Sequence, residues 1–293
     1  MKFRSPVLLL PARSTILKFW SPVLVLAVLA LVLFTGTPAQ SKNKVLMMAT
    51  TTSTDNTGLL EYLAPAFKKQ TGVELRWVAT GTGKAIALGR NCDVDIVFTH
   101  DPGMEQDFVN DGFGMARVLV MYNDFVIVGP EADPGGLEGM TATKALETIA
   151  DNGLPFASRG DTSGTHLAEL GIWEKSSATV PEREPWYIQT GQGMISTLIV
   201  ASERQAYCLT DRGTYITLEA RYNETPPLVV LIEGDPLLRN QYAVMSVNPA
   251  RCANAGIDLA ETFVEWIVSP ETQKLIGEFT LLGKMLFYPN ADE

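Results

Sequence analysis

Short strand-like runs alternate with helix-like stretches along most of this chain. The apolar run KVLMMAT (44–50) is typical of a buried strand, and VELRWVAT (73–80) alternates between apolar and polar residues with a period of two. The segment TGKAIALG (82–89) is helix-like, and DVDIVFTH (93–100) returns to strand character. Strands that alternate with helices are typical of parallel sheets covered on both faces. The pattern predicts an α/β fold.

The run RVLVMYNDFVIVGP (117–130) is long for a single strand and indicates a strand that continues from one structural unit into another. Three further runs are strand candidates: AYCLTDRGTYITL (206–218), LVVLIEG (228–234) and NQYAVMSVNP (240–249). The chain therefore predicts two α/β domains, each a mainly parallel sheet flanked by helices. Residues 44–124 plus 239–293 form the first, discontinuous domain, and residues 125–238 form the second.

Residues 1–39 have the pattern of a secretory signal peptide. Four basic residues precede the apolar run VLVLAVLALVLF (23–34), and Thr37 and Ala39 are small residues that suit a cleavage site after Ala39. The apolar run is short for a membrane span. An uncleaved N-terminal anchor is the alternative, and either interpretation exports the rest of the chain.

The mature chain is strongly acidic. Four of the 23 Lys and Arg lie in the leader, so 19 face 33 Asp and Glu, a net charge near −14. Nucleic acid is excluded as a partner because its binding needs a basic surface. An anionic ligand would also meet a repulsive average field, so an anion site here has to be local.

Cysteine and histidine are scarce. Cys92, Cys208 and Cys252 allow one disulfide in an exported protein and leave one thiol over. With only His100 and His166 besides, the sequence does not support a metal site rich in His or Cys.

Three loops rich in Ser, Thr and Gly lead from a strand into a helix: 50–58, 80–85 and 158–170. The first turn of a helix leaves backbone N–H groups without internal partners, and these donors favour an anion together with the helix dipole. Each loop alone is explained equally well by an ordinary N-cap. Strand-to-helix loops gather at the carboxyl edge of an α/β sheet, so the three together predict an anion site.

Arg159 stands at the mouth of the third loop and is the candidate for a bidentate contact to an oxyanion. An ion pair with Asp161 is the structural alternative. Arg212 is a second candidate, and it has the alternative of pairing with the adjacent Asp211. His100, at the end of a predicted strand, is expected either to line the ligand cleft or to serve as a cap.

Ser163 and His166 lie three residues apart and would share one helix face, as a nucleophile and its base would. The G-x-S-x-G turn is not matched and no third orienting group is evident. The sequence therefore disfavours hydrolysis.

A set of longer runs resembles the periplasmic tungstate-binding proteins of the TupA type, within the type II periplasmic binding proteins. The matching runs are ATTTSTDNTGLL, GTGKA, GRNCDVDIVFTH, RVLVMYNDFVIVGP, FASRGDTSGTH, GQGM and YCLTDRGTY. They keep their order and cover nearly all of residues 44 to about 289. The chain departs from the family pattern at Asn91-Cys92, where the resemblance leads us to expect Gly-Asp. This departure concerns a surface turn or a disulfide.

The resemblance implies a two-domain binding protein that holds tungstate, or else molybdate, in the cleft between its domains by hydrogen bonds. It assigns Thr51, Thr52 and Ser53 to the first-domain half of the site, and Arg159, Ser163 and Thr165 to the second-domain half. Thr82 and Asp211-Arg212 are further candidates. In the family, the Arg is associated with preference for tungstate over molybdate.

The resemblance also implies delivery of the anion to the permease of an ABC importer at the membrane. We expect a periplasmic monomer without a metal or other cofactor, tungsten being bound only as the oxyanion. Molybdate or phosphate remains an alternative ligand, with Asp161 as the acceptor for the proton of phosphate. Alternatives of another class are an exported hydrolase using Ser163 and a sensor that reports ligand occupancy to a membrane kinase.

Overall fold

The computed structural model describes residues 44–293, so the predicted signal peptide lies outside the described residues. Within this range, no helix combines the length and the apolar character that crossing a membrane requires. The described residues belong to one compact unit.

Twelve strands are described: β1 Lys44–Thr51, β2 Val73–Thr80, β3 Ile96–Thr99, β4 Val118–Gly129, β5 Phe156–Ser158, β6 Tyr187–Gln189, β7 Tyr207–Asp211, β8 Val229–Ile232, β9 Arg239–Ser246, β10 Thr280–Leu281, β11 Lys284–Met285 and β12 Tyr288–Pro289. The helices are α1 Thr52–Asp55, α2 Leu59–Thr71, α3 Thr82–Arg90, α4 Pro102–Asn110, α5 Ala142–Asn152, α6 Gly164–Lys175, α7 Met194–Arg204, α8 Arg212–Arg221, α9 Ile257–Ile267 and α10 Pro270–Glu278, with a 3-10 turn at Pro236–Leu238.

The main sheet has the strand order β2-β1-β3-β9-β4-β7-β5-β6. Pairing is parallel among β1, β2 and β3, and again among β5, β6 and β7. The central strands β9 and β4 run antiparallel to each other and to their outer neighbours β3 and β7. The predicted α/β class is observed, but the sheet is mixed where the chain passes through its centre.

Strand β4 changes partners along its length. It pairs with β9 up to Asp124, and with β7 and β8 from Phe125 onward. We call residues 44–124 plus 239–293 the first lobe and residues 125–238 the second lobe. The change of partner falls at the predicted boundary, but the division into two domains stays a prediction because residues 44–293 form one compact unit.

Each hydrophobic core cluster is formed mainly by residues of a single lobe. Leu46, Phe67 and Phe263 belong to a cluster formed mainly by the first lobe, and Phe156 and Trp173 belong to one formed by the second. The exception is Ile216 of α8, which joins the first-lobe cluster although it belongs to the second lobe. Helix α8 is thus packed against both lobes.

The strand predicted over 206–218 is only partly correct. It ends at Asp211, and helix α8 follows directly. The Asp211 carboxylate accepts hydrogen bonds from the N–H of Thr214 at 2.9 Å and from its hydroxyl at 2.6 Å. This N-cap starts a helix where the apolar pattern alone favoured a continued strand.

The structure pairs Cys92 with Cys252 in a disulfide and leaves Cys208 buried as a free thiol in β7. The bond connects the turn after α3 to the loop between β9 and α9. Cys92 has a left-handed backbone with φ of 64°. The position where the chain departs from the family pattern is therefore both a turn and a cross-link.

Candidate oxyanion-binding site

A cavity of about 930 Å³ lies between the two lobes. Its walls include the starts of five helices, α1 and α3 from the first lobe and α6, α7 and α8 from the second, together with His100 and Met104. Three of these starts are the hydroxyl-rich loops that the sequence singled out. The convergence directs several sets of unpaired helix N–H groups toward one space, which suits an anion.

Most of the candidate site residues line this cavity. They are Thr51, Thr52, Ser53 and Thr82 from the first lobe, and Arg159, Ser163, Thr165 and Asp211 from the second. The structure does not place Arg212 in the lining. Its guanidinium pairs instead with Asp124 and with Glu233 at 2.6 Å.

In the first lobe, Thr51 caps helix α1. Its hydroxyl accepts the N–H of Thr54 at 3.2 Å and lies 2.9 Å from the hydroxyl of Ser53. Thr50 points elsewhere and donates to the carbonyl of Phe98 at 2.9 Å. The loop therefore divides its hydroxyls between those that shape the backbone and those that border the cavity.

His100 borders the cavity beside Ser53. Its Nε2 lies 3.0 Å from the Ser53 hydroxyl, and its Nδ1 lies 2.9 Å from Oδ1 of Asn240. Burial lowers the pKa of His100 and outweighs the opposite effect of its hydrogen bond to Asn240 and of the nearby Asp211 and Asp101. The ring is therefore neutral at pH 7 in this structure.

In the second lobe, Arg159 and Asp161 form a half-buried ion pair at the start of α6. Asp161 also accepts the N–H of Ser163 at 3.1 Å. Partial burial opposes ionisation of Asp161, but hydrogen bonds from Ser163 and the charge of Arg159 outweigh it and lower the pKa. Arg159 Nε is buried, and within residues 44–293 no acceptor lies within hydrogen-bonding distance of it.

The loop between Arg159 and α6 contains a strained residue. Thr162 has φ of 58°, a left-handed conformation that β-branched residues rarely adopt. Its N–H donates to Nδ1 of His166 at 3.0 Å. A strained backbone conformation persists only when the surrounding contacts hold the residue in place, and such residues are concentrated at ligand-binding sites.

Ser163 and His166 do not form a nucleophile and base. The Ser163 hydroxyl accepts the backbone N–H of His166 at 3.4 Å, which is an N-cap, while the His166 ring accepts from Thr162. Burial lowers the pKa of His166, and Arg159 adds to that effect against the opposing charges of Asp161 and Glu182. The His166 ring supports the loop and is not directed at a reacting hydroxyl.

Gly164, the first residue of α6, approaches the first lobe closely. A Cβ built on it would lie 3.2 Å from Cε1 of His100 and 3.5 Å from the hydroxyl of Thr82. The α6 start and the first-lobe wall are thus nearly in contact at one edge of the cavity.

Two contributions to the site were not among the predicted site residues. Asn240, which holds His100, lies in β9 and is separated from it by 140 residues. The segment from Gly193 to Ser196 at the start of α7 also lines the cavity. Its GQGM run was among those that resemble the family, but no residue of that run was assigned to the site.

The charged side chains among the described residues lining the cavity are Lys84, Arg159, Asp161 and Asp211, so their formal charges cancel. No group of three or more His, Cys, Asp or Glu able to hold a metal ion occurs within residues 44–293. The arrangement offers hydroxyls, helix N–H groups and one partly buried guanidinium. These donors can hold an oxyanion through its oxygens.

The comparisons with known proteins agree with this chemistry. A family model described as a PBP superfamily domain matches residues 36–271. The chain is 45% identical over 239 residues to the tungstate-binding protein TupA of Campylobacter jejuni, covering 82% of this chain and 88% of that one.

Two solved structures are also similar. The tungstate-binding protein TupA from Desulfovibrio alaskensis G20 superposes with a TM-score of 0.82 at 58% identity, covering 85% of this chain and 100% of that one. The tungstate ABC transporter structure from Geobacter sulfurreducens superposes with a TM-score of 0.71 at 44% identity, covering 80% and 98%. The relatives are binding proteins and not enzymes, and the resemblance seen in the sequence is confirmed. This chain belongs to the family of TupA-type tungstate-binding proteins, within the PBP superfamily.

Proposed function

We propose that this protein captures tungstate between its two lobes and delivers it to an ABC importer. The observation that carries the proposal is Arg159, a cationic side chain that lines the cavity and whose buried Nε has no hydrogen-bond partner among residues 44–293. A buried unpaired donor is costly, and an anion oxygen would satisfy it.

We propose that the ligand contacts come from both lobes. They are Thr51, Thr52, Ser53 and Thr82 on one side and Arg159, Ser163 and Thr165 on the other. A hydrogen bond to a charged group contributes about 1.5–3 kcal/mol, so roughly five to eight of them exceed the cost of association. Nanomolar affinity, about −12 kcal/mol, is within reach of such a set.

The carboxylates at the cavity favour an anion that carries no proton. Both oxygens of Asp161 accept hydrogen bonds, from Arg159 and Ser163, and both oxygens of Asp211 accept from Thr214. Hydrogenphosphate needs an acceptor for its own proton and would have to share a carboxylate oxygen that already accepts one hydrogen bond and keeps one further lone pair. Tungstate and molybdate need donors only.

The cavity is much larger than one oxyanion. Its volume is about 930 Å³, whereas an oxyanion of this kind has only five heavy atoms. We propose that residues 44–124 plus 239–293 and residues 125–238 are two domains that close on the anion, with β4 and β9 carrying the hinge. The anion favours the closed state because donors of both lobes then share it.

We further propose that the chain is exported by residues 1–39, works in the periplasm as a monomer and binds tungstate without a metal or other cofactor. The family membership supports export and a permease partner at the membrane.

Calorimetric titration of residues 40–293 with tungstate, molybdate, sulfate and phosphate tests the proposal. We expect saturable binding of tungstate at one site, at least as tight as that of molybdate and much tighter than that of sulfate or phosphate. Phosphate binding equal to or tighter than tungstate binding would refute it.

A Gly164→Ala substitution is expected to weaken tungstate binding about five- to 150-fold. The added methyl would meet His100 at 3.2 Å at the edge where the lobes approach, and overpacking typically costs about 1–3 kcal/mol. Calorimetry against the wild type measures the loss.

Gly171→Ala is the matched control, because it lies in the same helix and a Cβ there meets no atom within 4 Å. We expect Gly171→Ala to leave the affinity unchanged. An unchanged affinity in Gly164→Ala as well would show that this edge of the cavity does not tighten around the ligand.

A further inference from the structure

A chain of side-chain hydrogen bonds leads from the interior of the sheet to the cavity. The amide nitrogen of Asn240 donates to Oδ1 of Asn123 at 2.7 Å, which leaves Oδ1 of Asn240 to face Nδ1 of His100 at 2.9 Å. Because Oδ1 can only accept, His100 carries its proton on Nδ1. Its Nε2 is then a bare lone pair facing the Ser53 hydroxyl at 3.0 Å.

This direction of the hydrogen bond between Ser53 and His100 does not suit an anion, which needs donors. A hydroxyl has a single proton, and the neutral His100 takes the proton of Ser53. Toward the cavity, Ser53 then presents lone pairs, although it lies in the loop that should donate to the ligand. The Ser53 proton becomes available to an anion only when Nε2 of His100 itself donates.

The charge balance of the cavity points the same way. Arg159 and the exposed Lys84 are balanced by Asp161 and Asp211. A dianion would therefore add two negative charges to a lining whose formal charges already cancel. One proton on His100 would supply a positive charge at the first-lobe wall, where the hydroxyl loop has none.

We propose that the protein takes up one proton at His100 when it binds the oxyanion. The doubly protonated ring donates from Nδ1 to Asn240 and from Nε2 to Ser53, and Ser53 turns its own proton to an anion oxygen. The proposal rests on the proposed oxyanion-binding function. It adds the proton as a second ligand, which binds at His100.

The surroundings of His100 allow this change. Asp101 follows it in the chain, Asp211 approaches from the start of α8, and the ring of Tyr242 packs on it with centroids 4.8 Å apart. Burial outweighs the effect of both carboxylates and lowers the pKa of His100. An opposite charge within about 4–6 Å favours the charged form of a histidine, so an anion bound beside the ring would raise the pKa of His100 in the same direction as the two carboxylates.

Calorimetric titration with tungstate at pH 7 in buffers of different ionisation enthalpy, such as PIPES, HEPES and Tris, measures the protons taken up per anion. We expect an uptake approaching one proton. By linkage, the dissociation constant then rises with pH, by up to tenfold per pH unit. Binding without any buffer-dependent heat would overturn the inference and leave the proposed function standing, whereas absence of binding would refute the function itself.

The variant His100→Gln identifies the group. A glutamine amide can occupy the position of Nε2 and donate to Ser53 at any pH. We therefore expect this variant to bind tungstate with a proton uptake near zero and with an affinity that depends little on pH. Two control variants should retain the proton uptake. His166→Asn removes the other histidine of the chain, and Glu169→Gln removes a carboxyl group whose pKa is raised by burial to about 7. Uptake that survives in His100→Gln would place the proton elsewhere and overturn the inference.

A second measurement covers the case in which His100→Gln does not fold or bind. The chain has only two histidines, so their ring nitrogen resonances can be assigned by comparison with His166→Asn. In the tungstate-saturated wild type at pH 7, we expect the His100 ring to show the doubly protonated pattern. A neutral pattern in the saturated protein would overturn the inference.

Discussion

An Arg159→Ala variant is expected to bind tungstate about 100- to 1,000-fold more weakly than the wild type. This side chain lines the cavity, and its buried Nε has no hydrogen-bond partner within the described part of the chain, so we expect the guanidinium to turn toward a bound anion. Charged hydrogen bonds contribute about 1.5–3 kcal/mol each, and the expected loss corresponds to about 2.7–4 kcal/mol. The variant also leaves Asp161 beside the dianion without its cation.

Two further substitutions separate these effects. Arg159→Lys keeps the charge but loses the planar fork, so we expect an affinity between those of the wild type and of the alanine variant. In Arg159→Ala combined with Asp161→Asn, the repulsion is gone, so part of the lost affinity should return. Competition calorimetry measures all three variants.

Arg183→Ala is the control for the loss of a positive charge. Arg183 is exposed in the second lobe and does not line the cavity. We expect less than a twofold change in affinity for this variant. A similarly small change in Arg159→Ala would mean that Arg159 serves only its ion pair with Asp161.

Removing the disulfide is expected to lower the free energy of unfolding by about 3–5 kcal/mol. Cys92 and Cys252 are separated by 160 residues, and closing so long a loop restricts the unfolded chain strongly. The chain-entropy model gives about 5 kcal/mol for such a loop, and removal of native disulfides typically costs about 2–5 kcal/mol. Urea denaturation of Cys92→Ala combined with Cys252→Ala measures the change.

A reducing agent provides the control for this experiment. It should destabilise the wild type by a similar amount and leave the double variant unchanged, because Cys208 has no partner to lose. Neither bonded cysteine lines the cavity, so tungstate affinity should change less than threefold in the folded double variant. Equal stability of the wild type and the double variant would contradict the predicted contribution.

The same local signal led to different outcomes for two arginines. Arg159 lies two residues before Asp161 and Arg212 directly follows Asp211, and the sequence offered both arginines as anion ligands. Arg159 lines the cavity, whereas Arg212 is paired with Asp124, which lies 88 residues away in the chain, and with Glu233. Local sequence could not separate them because the acids that engage Arg212 come from distant strands.

The sequence by itself determined the class of fold and three of the five helix starts at the cavity. These features depend on short-range physics, since apolar periodicity, N-capping and glycine turns act within a few residues. The hydroxyl loop at Thr51–Ser53 and the Arg159 loop were identified in this way. Their family pattern supplied the ligand hypothesis, although the residue assignments remain predictions.

Only the tertiary structure decided which of these features meet and how their donors are directed. The sheet order places β9 between β3 and β4, so Asn240 can link Asn123 to His100 and set the direction of the Ser53 hydrogen bond. It also left Arg159 Nε without an acceptor among residues 44–293. Contacts across a hundred or more residues depend on how strands are ordered in the sheet, which local periodicity and capping do not encode.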